Sequence, residues 1–207
     1  MKKLFLLLLI FVLISCKNET NSSPVNTTEL HNGDIIFQTS LSSQSQAIQL
    51  ATKSIYSHCG IIYKDNGAFY VFEAIQPVQK TPLNKWIARG KDNFYIVKRL
   101  KEFKDGLPEE KLTLMKTAGE TMNGKNYDLY FEWSDDRIYC SELIWKIYKK
   151  AGVELSAPEE LKDFDLTNPA VKQKLKERYG SNIPLHEKVV SPTALFNSSL
   201  LYTVNTN

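Results

Sequence analysis

Three side chains in this sequence have the types needed for covalent acyl transfer: Cys140, His58 and Glu73. Cys140 opens a strongly patterned stretch, YCSELIW (residues 139–145). At roughly 100° per residue, Cys140, Leu143, Ile144, Ile147 and Ala151 fall on one helical stripe, while Glu142, Lys146 and Lys149 point away. The cysteine therefore faces the interior, at the end where a helix presents free N–H groups and a partial positive charge. That environment favours the thiolate, which is the nucleophile. The bland alternative is a structural cysteine, because a buried free thiol behaves as a small hydrophobe.

A thiolate needs a partner to hold and return a proton, and that partner needs an orienting group. Residues 57–75 (SHCGIIYKDNGAFYVFEAI) contain both. Two β-rich runs flank Asn66-Gly67, a strong two-residue hairpin signal. If that pair forms the turn, Asp65 pairs with Ala68, His58 lies opposite Ile75, and Glu73 is its diagonal neighbour on the same face. A turn one residue longer would move Glu73 off that face. Cys59 falls on the other face of the strand, so if His58 points at Cys140, Cys59 points away. This argues against Cys59 as the reactive thiol and against a Cys59–Cys140 pairing.

In this reading Cys140 attacks a carbonyl, His58 holds the proton as an imidazolium and returns it to the leaving group, and Glu73 fixes the ring. The Cys140 backbone N–H is the first oxyanion donor, and no second one can be named. Each residue also has an ordinary reading: a satisfied core histidine, a glutamate at a solvated strand end. His186, among Pro184, Leu185 and Glu187, is a weaker candidate base. No metal site is expected, because His31, His58 and His186 are not at ligand spacing.

The elements that would position these groups follow from pattern. Gly33–Gln38 reads as a strand, Ser42–Ser54 as a helix, Pro82–Arg89 as a short helix and Asn93–Leu100 as a strand. Pro108–Met122 reads as a helix with proline in its first turn. Asn123–Asp136 is aromatic and irregular. Asn168 caps a charged helix that Gly180 ends, read as a solvated surface element with a lid over the site as the alternative. A short helix begins at Ser191-Pro192, and Leu200–Val204 reads as a closing edge strand.

With 207 residues, 43% of them hydrophobic, the chain has one core's worth of apolar side chains. Lys2 and Lys3 precede an apolar run, Leu4–Ile14, too short for a comfortable membrane span. The run ends in Leu13-Ile14-Ser15-Cys16, which resembles the bacterial lipobox, so residues 1–15 are expected to be a lipoprotein signal peptide and Cys16 the lipidated first residue. Lys17–Leu30, rich in Asn, Ser and Thr, reads as a flexible tether, giving a tether over 16–30 and a catalytic domain over 31–207. The formal charge of +3 includes the two lysines of the signal, and basic residues are interleaved with acidic ones. Nucleic-acid binding is not suggested. The three cysteines have neither zinc-like spacing nor the number for a disulfide framework.

The segments SQSQAIQLATKSIYSHCGIIY (43–63), VFEAI (71–75), NYDLYF (126–131) and YCSELIWKIY (139–148) together resemble the YiiX-like group of bacterial permuted papain-like proteins. That group is related to NlpC-type cell-wall peptidases and, more distantly, to lecithin retinol acyltransferase. The resemblance runs from about Gly33 to the SPTALFNSS segment. Histidine ahead of cysteine in the chain is the mark of the permutation. It implies an α+β, circularly permuted papain-like fold, with a small antiparallel sheet packed on the cysteine helix, and it places the family's catalytic residues on His58, Glu73 and Cys140. Cys59 departs from it, since a small aliphatic residue is expected there.

What the resemblance implies is a thiol hydrolase without cofactor; the lipobox adds export and a lipid anchor in the bacterial cell envelope, and a monomer is expected. Its substrate is a peptide amide of the cell wall or a lipid acyl group, both found near a membrane, and the amide is favoured. Tyr127, Tyr130, Phe131 and Tyr139 are candidates for substrate contact, as an apolar acyl pocket or as simple core. A binding lipoprotein of the same fold without turnover is the alternative of a different class.

Overall fold

A computed structural model describes residues 27–206. The expected signal peptide, the lipobox cysteine Cys16 and most of the expected tether lie outside the described residues. In chain order come β1 (Ile35–Gln38), α1 (Ser45–Thr52), β2 (His58–Asp65), β3 (Ala68–Glu73), β4 (Gln79–Pro82), α2 (Leu83–Ala88) and β5 (Ile96–Leu100). Then follow α3 (Glu109–Met122), β6 (Asn126–Tyr127), β7 (Arg137–Ile138), α4 (Cys140–Lys150) and β8 (Glu159–Glu160). The chain closes with α5 (Pro169–Tyr179), β9 (Lys188–Val189), α6 (Pro192–Phe196) and β10 (Leu201–Thr206).

Six strands form one sheet in the order β10-β5-β1-β2-β3-β4, every neighbouring pair antiparallel. The β2–β3 hairpin has the register its turn sequence implies, with Asp65 opposite Ala68 and Ile61 opposite Phe72. Asn66 and Gly67 both have positive φ, 47° and 83°, as the twist-compatible two-residue turn requires. Further along the hairpin, Gly60 lies where a Cβ would come within 2.3 Å of Val71 Cγ1 and 3.0 Å of the Phe72 carbonyl oxygen. Only a residue without a side chain lets the two strands stay this close.

Both faces of the sheet are covered. Alternate residues of β1 and β2 (Ile35, Phe37, Cys59, Ile61) join α3, α4 and α6 in the larger core. Their neighbours Ile36 and Ile62, with Val71 and Val97, pack on Leu83, Trp86 and Ile87 of α2. The cysteine helix thus lies against the middle of the sheet, as the resemblance implies. The stripe Leu143, Ile144, Ile147 and Ala151 is buried as the periodicity predicts.

Several expectations need correction. Glu142 does not point away from the core: it is fully buried, reaches back to the Tyr139 backbone N–H at 3.4 Å and pairs with Lys146 at 2.8 Å. As the third residue of the helix it can turn back over the end, which a helical wheel does not represent. The strand read from Asn93 starts at Ile96, because Asp92 and Asn93 adopt positive φ. Strand β4 has no counterpart in the sequence reading. Leu30, assigned to the tether, is buried, and the Glu29 carbonyl accepts from the Arg99 guanidinium, so the last tether residues already belong to the body. Helix α5 is not simply solvated, since Val171 and Leu175 are buried in a cluster bordered by Leu50, Ala51, Phe164 and Leu166.

Candidate active site

His58 is the first residue of β2 and Glu73 the last of β3. The hairpin register brings His58 Nε2 to 2.6 Å from Glu73 Oε2. The carboxylate is fully buried and its second oxygen is also occupied, accepting from Thr81 Oγ1 at 2.6 Å and from the Arg89 guanidinium. On the α2 side the imidazole stacks on Trp86, ring centroids 5.8 Å apart and planes 25° from parallel. Thr81, Arg89 and Trp86 thus fix the orienting pair, and sequence reasoning missed all three. Thr81 belongs to the unforeseen strand β4, where it sits opposite Val71.

Cys140 is the first residue of α4, capped by Tyr139, and its thiol adjoins both His58 and Cys59. Because Glu73 holds Nε2, Nδ1 is the nitrogen left to serve the sulfur. Burial pushes the imidazole pKa down, but the Cys140 sulfur and Glu73 outweigh it and raise it to about 9. The Cys140 thiol is held well below its ordinary value, first by the Cys59 thiol beside it and then, against burial, by His58. Burial acts to raise the Glu73 carboxyl, yet His58, Thr81 and Arg89 hold it below the ordinary range. The group is therefore arranged as thiolate, imidazolium and carboxylate in series.

Cys59 is where the sequence reading fails. Its side chain faces the α4 core beside Cys140 rather than away from it. The alternation itself holds: Cys59 and Ile61 face α4, and Ile62 faces α2. His58, at the strand's end and against Trp86, reaches Cys140 past that end, so the two neighbours approach the same sulfur from different sides. Both cysteines are free thiols.

Two hollows meet at this point. One, of about 720 Å³ including its mouth, is bordered by Cys140 and Tyr139 and walled mainly by apolar side chains, among them Ala47 and Ile48 of α1 and Val171 and Leu175 of α5. The other, about 860 Å³, is a cleft on the His58 side lined by Gln38, Ser40, Ser42 and Arg89. Gln44 and Tyr127 border both, joined by a 2.9 Å hydrogen bond from Gln44 Nε2 to the Tyr127 hydroxyl.

Of the candidate contact residues, Tyr127, Phe131 and Tyr139 border the apolar hollow. Tyr139 also accepts the Val190 backbone N–H at 3.0 Å. Tyr130 is not among them. It is partly exposed, lies against the Arg137 guanidinium, and its carbonyl accepts from the Tyr179 hydroxyl. His186 sits on the surface beside Glu160, 3.0 Å away, not at this site.

A sheet presenting histidine and carboxylate to a cysteine at the head of a later helix is the permuted papain-like arrangement. Residues 29–205 match the family described as permuted papain-like amidase enzyme, YaeF/YiiX, C92 family, and the chain belongs to that family of hydrolases. It is 50% identical to the YiiX protein of Escherichia coli K12 over 184 residues, 88% of this chain and 90% of that one. A crystal structure described as metalloprotein YiiX from Escherichia coli O157:H7 superimposes with a TM-score of 0.83 at 50% identity, covering 86% of this chain and 98% of the other. In this chain, no group of three His, Cys, Asp or Glu side chains among the described residues is arranged to hold a metal ion.

Proposed function

We propose that this protein is a lipid-anchored thiol hydrolase that cleaves an amide bond through an acyl-enzyme on Cys140. The observation that carries the reading is the continuous series from the Cys140 sulfur through His58 to Glu73, with the His58–Glu73 contact at 2.6 Å. The thiolate adds to the carbonyl carbon, and the developing oxyanion is met by the Cys140 backbone N–H at the helix end. The His58 imidazolium gives its proton to the leaving nitrogen, the C–N bond breaks and the acyl group stays on sulfur. Neutral His58 then takes a proton from water, which attacks the thioester and frees Cys140. Throughout, Glu73 keeps the ring in place and offsets its charge.

The acyl part of the substrate falls on the side of the apolar hollow and the leaving group on the side of the His58 cleft. An amide in a cell-wall peptide is the expected substrate. The apolar walls beside Cys140 favour a second reading, in which the group carried on sulfur is a lipid acyl chain. Incubating the purified protein with muropeptides and with long-chain acyl esters and amides separates the two. Release of amines, lost on Cys140→Ala, supports the amide reading, and release from esters alone replaces it with the acyl reading. No turnover on either, with an unreactive Cys140, would favour the binding lipoprotein.

A further inference from the structure

No bond or proton of the hydrolytic cycle passes through Cys59, yet it places a second free thiol against the nucleophile. Both sulfurs are buried, Cys59 completely and Cys140 to within 3%, and neither is in a disulfide. Both lie in the one buried cluster where β2 packs on α4, with the Cys59 thiol and its backbone N–H beside the Cys140 sulfur. Cys140 borders the apolar hollow, whereas Cys59 borders neither hollow. A small oxidant entering the apolar hollow meets Cys140 first.

We propose that Cys59 is the resolving thiol of Cys140, so that a peroxide converts the pair into an intramolecular disulfide that closes the site reversibly. The inference rests on the reading of Cys140 as the site's thiolate. In the first step the thiolate attacks one peroxide oxygen and the O–O bond breaks. Sulfur is oxidised to the sulfenic acid, the peroxide is reduced, and the departing oxygen takes the proton of the His58 imidazolium to leave as water or alcohol. In the second step the Cys59 sulfur attacks the Cys140 sulfur. Its proton goes to the departing hydroxyl, which leaves as water. The charges agree with this order, since Cys140 is held low while burial pushes the Cys59 thiol up. The partner bordering the hollow is thus the thiolate that meets the oxidant, and the one behind it stays a thiol until the sulfenic acid forms. Without a neighbour, a sulfenic acid exposed to further peroxide goes on to the irreversible sulfinic acid.

The test treats the full chain with hydrogen peroxide near neutral pH, alkylates the remaining thiols and maps the peptides without reduction. The expected result is a Cys59–Cys140 linked peptide, loss of Cys140 alkylation, and recovery of both after dithiothreitol. In Cys59→Ala the same treatment should leave Cys140 as sulfinic or sulfonic acid, with at least about tenfold less recovery. Wild-type protein carrying sulfinic acid on Cys140 beside a free Cys59 overturns the proposal, whether or not the variant folds. Alkylation of a separate, unoxidised sample distinguishes the two readings: a Cys140 that alkylates fast there yet forms no disulfide in the peroxide-treated sample removes only the resolving role, and an inert Cys140 removes the thiolate reading as well.

Discussion

At Cys140 and His58 a single proton is kept on nitrogen rather than sulfur, and this fixes how the site should respond to pH. The thiol is held low, so the thiolate persists as pH falls below the free-thiol value of about 8.5. The imidazolium persists as pH rises, until about 9. Iodoacetamide should therefore label Cys140 quickly at mildly acidic pH with no further rise through 8.5, and His58→Ala should move the onset up toward the free-thiol range. Hydrolysis needs the proton as well and should decline above about 9 while labelling does not. Glu73→Gln removes a group that raises the His58 pKa, so the alkaline decline should move to lower pH and turnover should fall by about 10²-fold. An unchanged alkaline limb would mean that the carboxylate does not act on the ring. The His58–Glu73 pairing is legible in the sequence because a two-residue turn fixes the register of everything behind it. Arg89 and Thr81 are not, because they converge on Glu73 from a helix and an edge strand whose placement no local pattern announces. Cys59 was misplaced for a related reason: alternation tells which face a strand residue takes, but not how a residue at the strand's end reaches round it.

At the scale of elements, the hairpin and the cysteine helix each contain a position that the site depends on without touching substrate. Gly60→Ala would press a methyl group into Val71 and the Phe72 carbonyl. We expect a destabilisation of about 1–3 kcal/mol in chemical denaturation, with slower Cys140 labelling as the His58 end of the strand shifts. Stability unchanged within error would show that the strands part at no cost. In α4 the buried carboxyl of Glu142 is raised by burial, against the pull of Lys146, from 4.5 to about 7. The folded state therefore binds more protons than the unfolded state between those values. Stability contributed by the protonated group is present below the lower value and is lost as pH rises through the upper one. Glu142→Gln should lessen the loss of unfolding free energy between pH 5 and 8, read by chemical denaturation, by an amount on the order of 2 kcal/mol. An equal fall in both proteins would place the pH dependence elsewhere. The helices themselves were legible from apolar period and capping residues such as Asn168, whose side chain accepts the Ala170 N–H at 2.9 Å. The role of α5 was not: its buried Val171 and Leu175 are sparse among charges, and only the position of α1 opposite them makes the pair a wall of the hollow.

For the molecule as a whole, the permutation was legible in chain order alone, since histidine precedes cysteine. The substrate class was not, because the hollow beside Cys140 and the cleft beside His58 are walled by elements that come together only in the fold. The lipoprotein expectation is checked by metabolic labelling with a fatty-acid analogue in a bacterial host: wild-type protein should incorporate label and partition with membranes, and Cys16→Ser should lose both. Label retained in that variant would place any acyl group elsewhere. The strand order adds a polarity to this picture. The chain enters the sheet at Ile35 and runs along β1 to Gln38, which faces His58, so the amino-terminal segment departs from the end of the strand remote from the cleft. Strand β10 runs the other way past β5 and ends with Thr206 opposite Ile96, and Ile96 pairs with Phe37 beside Gln38. A protein immobilised or displayed through its amino terminus would hold the cleft outward, whereas a fusion at the carboxyl terminus would sit at the rim where substrate arrives.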